Sequence, residues 1–168
     1  MGERDTTRQR RKTVLFVCTA NICRSPMAAA LFNALAEERG LPYRAESAGV
    51  AALEGAGMAP YALEALAELG IRDAGHRARR VSGELLEGAD LVLAMGPRHV
   101  REIERSFGPS RKVYTLRGYA GEDRDGEEIP DPYGLTAHAY RASLRQLLEY
   151  VEGVLERLRR EENPGSPQ

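Results

Sequence analysis

Apolar positions along this chain follow two alternating rhythms. Residues 13–18, TVLFVC, form a continuous apolar run with β-branched members, the pattern of a parallel strand covered on both faces. A helical stretch, SPMAAALFNALAEERG, follows at once. Ser25 suits its cap, Pro26 its first position, and Gly40 stops it after Arg39. The alternation then repeats. YRAESAGV (43–50) reads as a strand and APYALEALAELG (59–70) as a helix closed by Gly70. ADLVLAM (89–95) is the clearest later strand, PRHVREIERSFG (97–108) a helix opened by proline and ended by glycine, and KVYTL (112–116) a short strand. Thr136 to Arg160 is one long amphipathic helix. Strands and helices alternating at this spacing predict an α/β sandwich around a parallel sheet of about four strands.

Between Gly118 and Tyr133 the periodicity lapses, and Gly121, Gly126, Pro130 and Pro132 mark a long loop of the kind that carries function in compact domains. At 168 residues the chain fits one domain. The pattern divides it into a flexible arm over 1–12, a single domain over 13–160 and a disordered tail over 161–168. The cluster Arg8, Arg10, Arg11 and Lys12 on that arm reads as a solubility feature.

Composition narrows the function class. With 42% hydrophobic and 29% charged residues and a formal net charge of -1, the chain is neither a disordered segment nor a basic nucleic-acid binder. No run reaches the roughly 18 apolar residues of a membrane span, and the N-terminal MGERDTTRQRRK lacks the apolar core of a signal peptide. The expected compartment is the cytoplasm, where the two cysteines, Cys18 and Cys23, call for chemistry or burial rather than a structural disulfide.

Both cysteines fall in FVCTANICRSPMA, at a strand end followed by a loop and a helix start. In parallel sheets ligands bind at the carboxyl ends of strands, where a helix N-terminus and consecutive loop amides attract an anion. The loop from Thr19 to Arg24 (Thr19, Ala20, Asn21, Ile22 and Cys23 before the arginine) thus offers phosphate a ring of N–H donors. Cys18 faces that ring, where the helix dipole and Arg24 favour a thiolate nucleophile. Arg24 can grip two phosphoryl oxygens with its planar fork, and Ser25 can donate a hydrogen bond to the thiolate. A phosphoenzyme route also needs a proton donor, and Asp131, stiffened between two prolines in PDPYG, is the candidate.

VCTANICRSP together with DPYG resembles the low-molecular-weight protein tyrosine phosphatases, a likeness that extends through SAGV, HRAR and DLVLAM over about residues 13–158. The resemblance implies a three-layer α/β sandwich with a four-stranded parallel sheet and helices on both faces, no metal or cofactor, and a cysteinyl-phosphate intermediate formed with a phosphorylated protein substrate. It implies Cys18 as nucleophile, Arg24 as phosphate clamp and Asp131 as general acid. Asn21 resembles the asparagine that braces the loop in a strained shape, and Ser47 and His76 match positions bonded to that brace. Tyr133 is followed directly by Gly134, as in bacterial members, and the aromatic that walls the cleft in eukaryotic forms is replaced near Leu53, which predicts a shallower cleft.

Bacterial-type arsenate reductases share the loop but relay a disulfide through downstream cysteines, and no cysteine follows Cys23. A non-catalytic phosphate-binding module would have no need of both Cys18 and Asp131. The stronger alternative is the protein-arginine phosphatase branch, which resembles this chain in length and carries threonine where Ile22 stands. Isoleucine there is the tyrosine-phosphatase choice, so phosphotyrosine is the expected substrate.

Overall fold

A computed structural model of the chain describes residues 11–121 and 127–163. Four strands, β1 (Lys12–Cys18), β2 (Tyr43–Gly49), β3 (Leu91–Ala94) and β4 (Val113–Thr115), form one parallel sheet in the order β2-β1-β3-β4. The central strand β1 runs in register with β2 from Lys12↔Tyr43 to Cys18↔Gly49 and with β3 from Val14↔Leu91 to Val17↔Ala94. Its continuous apolar run has the expected cause: Val14, Leu15, Phe16 and Val17 are all fully buried because both faces of the strand are covered.

One face packs on α1 (Arg24–Glu38), α2 (Pro60–Glu68) and the long C-terminal helix α6 (Ala137–Glu162). There Val14 and Phe16 share a core with Met27, Phe32, Leu66, Leu147 and Leu155. Each such side chain stabilises the fold by about 1.5–3 kcal/mol through burial. Leu15 and Val17 point to the opposite face and meet Ile103 of α4 (Pro97–Phe107), with Leu85 and Leu86 of α3 (Gly83–Gly88) beside them. The alternation of side chains along one strand therefore builds the three layers.

Two short helices were not legible as periodic patterns. Both begin on hydroxyl caps: Ser82 Oγ accepts from the Leu85 amide in α3, and Thr115 Oγ1 accepts from the Gly118 amide in α5 (Leu116–Tyr119). Six and four residues are too few to display a 3.6-residue rhythm. Helix α5 takes Leu116 from the expected fourth strand and Gly118 and Tyr119 from the expected loop.

The first helix also starts differently from expectation. It begins at Arg24, Cys23 occupies the cap position without a side-chain cap bond, and Ser25 is fully buried with its hydroxyl turned to the preceding loop. At the far end α6 continues to Glu162, which accepts a hydrogen bond from the Tyr43 hydroxyl at 2.9 Å. Residues 1–10 of the expected arm, 164–168 of the expected tail and 122–126 of the expected loop lie outside the described residues. Among the described residues no helix is long and apolar enough to cross a membrane.

Because the chain passes from β1 to β2 on one side and returns to β3 on the other, Cys18 ends its strand at the switch point of the sheet. Loops diverge there, leaving a crevice for a ligand.

Candidate active site

The segment from Cys18 to Arg24 curls from the carboxyl end of β1 into α1, tied to the end of β2 by Val50 N–H donating to the Cys18 carbonyl and Ala51 N–H to the Thr19 carbonyl, both at 2.9 Å. Gly49, paired with Cys18, makes this approach possible. A β-carbon there would strike the Thr19 carbonyl oxygen and stand 3.0 Å from the Asn21 amide nitrogen. Within the curl Asn21 has φ 61°, the one left-handed non-glycine among the described residues. Such a conformation persists only when its surroundings hold it.

The hold can be traced bond by bond. Asn21 donates both amide protons of Nδ2, to Ser25 Oγ at 2.8 Å and to Ser47 Oγ at 2.9 Å, while its Oδ1 accepts from the Arg79 amide at 3.0 Å. The Asn21 carbonyl lies 2.7 Å from His76 Nε2 and can only accept, so that ring nitrogen carries the proton. Ser25 Oγ already accepts from Asn21, and its single proton has two nearby acceptors: Cys18 Sγ at 2.9 Å and the Ala48 carbonyl at a longer 3.4 Å. The Asn21 amide points at the same sulfur from 3.3 Å. The strained loop thus turns the Ser25 hydroxyl and the Asn21 amide toward Cys18 Sγ.

Arg24 is 1% exposed and its guanidinium is shared among carboxylates. Nη1 donates to Glu128 Oε2 at 2.7 Å and to the Ile129 carbonyl at 2.9 Å, and Nη2 donates to Asp131 Oδ2 at 3.3 Å. Arg98 grips Glu128 from the other side through Nε at 2.6 Å and Nη2 at 2.8 Å. These contacts hold Glu128 down to about 2: the Arg98 hydrogen bonds outweigh burial, which acts in the opposite sense, and Arg24 adds to the lowering. Asp131 Oδ1 accepts from the Tyr133 amide at 3.1 Å, which aims the carboxyl over the loop.

His99, in the first turn of α4, is completely buried with Nε2 2.9 Å from Thr19 Oγ1. Its Nδ1 is buried with no partner among the described residues, and an unpaired lone pair is tolerated better than an unpaired N–H, so the proton belongs on Nε2 and Thr19 accepts. Burial first, then the Arg24 and Arg98 charges, push this ring down to about 4. Cys23 Sγ lies 3.3 Å from the Tyr140 hydroxyl, and burial pushes its thiol up to about 11.

A cavity of about 410 Å³ opens above Cys18. Ten of the residues singled out from sequence line it: Cys18, Thr19, Ala20, Asn21, Ile22, Cys23, Arg24, Leu53, Asp131 and Tyr133. Ser25, Ser47 and His76 stand behind the loop rather than in the cavity. Leu53 and Tyr133 form an exposed rim, 78% and 65% accessible, consistent with a shallow cleft. Sequence reasoning missed Glu128, Arg98, His99 and Arg79. Arg79 lies within HRAR, and Glu128 directly precedes IPDP, but neither carries a spacing that marks its role. His99 follows the carboxyl end of β3, the position that parallel sheets reserve for ligand contacts.

The chain is 39% identical over 149 residues to a protein-arginine-phosphatase of Bacillus subtilis (strain 168), covering 88% of this chain and 97% of that protein. It is 38% identical over 149 residues, with the same coverage, to a probable low molecular weight protein-tyrosine-phosphatase, EpsP, of Ralstonia solanacearum. Among solved structures, a cysteine-to-serine mutant of the YwlE arginine phosphatase with a phosphorylated active-site serine superposes with a TM-score of 0.84 at 38% identity, covering 90% of this chain and 98% of that one. A low molecular weight protein tyrosine phosphatase from T. tengcongensis gives 0.80 at 39% identity, covering 86% and 98%. Residues 13–164 match the sequence model of one family, and the chain belongs to it: the low molecular weight phosphotyrosine protein phosphatases.

Proposed function

We propose that this phosphatase hydrolyses phosphotyrosine in protein substrates through a phosphorylated Cys18. The observation that carries the reading is the division of the cavity: loop amides and Arg24 at its floor, and Ile22, Ala51, Leu53, Ala56 and Tyr133 around its walls. The floor suits a phosphoryl dianion and the walls suit an aromatic ring. In the first step Cys18 Sγ attacks phosphorus, the P–O bond to the leaving group breaks, and protonated Asp131 gives its proton to the departing oxygen. In the second, the Asp131 carboxylate takes a proton from water, whose oxygen attacks phosphorus, and the P–S bond breaks to return the thiolate. Throughout, the amide ring and Arg24 stabilise charge on the three equatorial oxygens. The phosphorylated serine in the relative named above supports a phosphoryl acceptor at the position of Cys18.

The curated relatives named protein-arginine-phosphatase, each 39% identical, favour a second reading in which phosphoarginine is the substrate. Against it, Asp131 is the one carboxylate lining the cavity among the described residues, and Ile22 offers a guanidinium no hydrogen bond. Side-by-side turnover of a phosphotyrosine and a phosphoarginine peptide decides between them. Wild type should prefer phosphotyrosine, and Ile22→Thr should shift preference toward phosphoarginine. A wild type that prefers phosphoarginine overturns the substrate assignment and leaves the cysteinyl-phosphate chemistry in place.

A further inference from the structure

We infer that Glu128, clamped by Arg98 in a space that Gly96 leaves open, is a positioning residue that sets the orientation of the Arg24 guanidinium for the phosphoryl group. The inference rests on the reading of Arg24 as the phosphate clamp. A guanidinium has five N–H donors in a fixed plane, and rotation within the pocket would present the wrong edge. Both protons of Arg24 Nη1 are committed, one to Glu128 Oε2 and one to the Ile129 carbonyl. With that nitrogen fixed, the opposite edge, Nε and Nη2, remains to grip two phosphoryl oxygens. The 3.3 Å contact of Nη2 with Asp131 is the long one of the three and the one that a phosphoryl dianion would displace.

Glu128 can serve as an anchor because it is itself held. Arg98 meets it with a two-bond fork, so its carboxylate is gripped from both sides by arginines of different elements. Gly96 supplies the room. Its backbone, φ −169° and ψ 169°, is extended and open to any residue, yet a β-carbon there would stand 2.7 Å from both Cβ and Cγ of Glu128. Space alone, not backbone freedom, therefore calls for glycine at this position. The cap and first turn of helix α4 thus carry three residues that bear on the phosphate loop: Gly96 and Arg98 through Glu128, and His99 through Thr19.

The test uses the full chain and two aryl phosphates, one with a good and one with a poor phenol leaving group, with orthovanadate as a phosphoryl mimic. Glu128→Ala should lower kcat/KM about 10- to 100-fold, the range for a misplaced positioning group, and weaken vanadate inhibition in proportion. Both substrates should lose equally, because Arg24 acts on the phosphoryl group and not on the leaving oxygen. Glu128→Gln, which keeps an acceptor for Nη1, should recover part of the loss, and Gly96→Ala, which removes no charged group but crowds Glu128 out of its place, should reproduce it. Arg141→Ala breaks an exposed pair with Glu68 and should match wild type. A Glu128→Ala enzyme within twofold of wild type overturns the inference, as does a loss confined to the poor leaving group, which would place Glu128 in service of Asp131. If Arg24→Ala itself retains wild-type turnover, the reading of the clamp fails first, and the inference with it.

Discussion

Acidification from about pH 7 to about pH 5 should remove about 2 kcal/mol of folding stability through a single residue, His99. The ring is wholly buried and held near 4 in the folded protein, against an ordinary value of 6.5. Desolvation is the largest cause; Arg24 and Arg98 push in the same direction, and Glu128 and Asp131 oppose them. Between those two values the unfolded chain binds a proton that the folded chain refuses. Stability is therefore fully present above about pH 6.5 and falls as the pH drops toward 4. At about 1.4 kcal/mol per pH unit the total approaches roughly 3 kcal/mol, of which about 2 is lost by pH 5.

Urea denaturation of wild type and His99→Gln at the two pH values isolates this contribution. Glutamine cannot titrate but keeps an N–H donor for Thr19, so the variant lacks the His99 component while other groups respond alike. Wild type should lose about 2 kcal/mol more than the variant on going to about pH 5. The Glu128 carboxylate, ordinarily 4.5 and held near 2, gives its own stability up only over that lower window and does not mask the result. Equal losses in both proteins would refute the buried neutral histidine, and with it the tautomer that donates to Thr19.

Cys18→Ser should leave less than a tenth of wild-type aryl phosphate turnover while vanadate still binds, because the loop amides remain and a hydroxyl is not ionised near neutral pH. Asp131→Asn should slow hydrolysis about 100-fold for a poor phenol leaving group and much less for an activated one; equal losses would remove Asp131 as the acid. After equal peroxide treatment and a thiol reductant, wild type should recover more activity than Cys23→Ser, through capture of a Cys18 sulfenic acid as a disulfide. Since Cys23 is pushed up to about 11, the advantage should grow as the oxidation is run at higher pH, and equal recovery at every pH would leave Cys23 as packing against Tyr140.

What could be read before the structure and what could not separate along a physical line. Long elements announce themselves by length: the unbroken apolar run at 13–18, the apolar stretch of α1 between proline and glycine, and the amphipathic α6 each extend over enough residues to be read, whereas α3 and α5 are too short. The loop proposed to bind phosphate was legible because its residues are contiguous, seven from Cys18 to Arg24 with a distinctive spacing. Of the two roles expected of Ser25, the helix cap is not found: left-handed Asn21 turns the chain so that the helix starts at Arg24, and the Ser25 hydroxyl instead lies 2.9 Å from Cys18 Sγ, the other expected contact, and accepts from Asn21 Nδ2. Glu128, Arg98 and His99 converge on the loop from other elements, and no local pattern distinguishes them from solvent-facing charges or an ordinary first-turn histidine. Their signal lies in topology. Once β1 is flanked by β2 and β3 in parallel, the residues beyond the carboxyl ends of both neighbours are brought to Cys18: Val50 and Ala51 bind the loop backbone on one side, and Gly96, Arg98 and His99 flank its arginine and threonine on the other. The motif supplies Cys18 and the loop proposed to bind phosphate, while strand order supplies the groups that hold both in place.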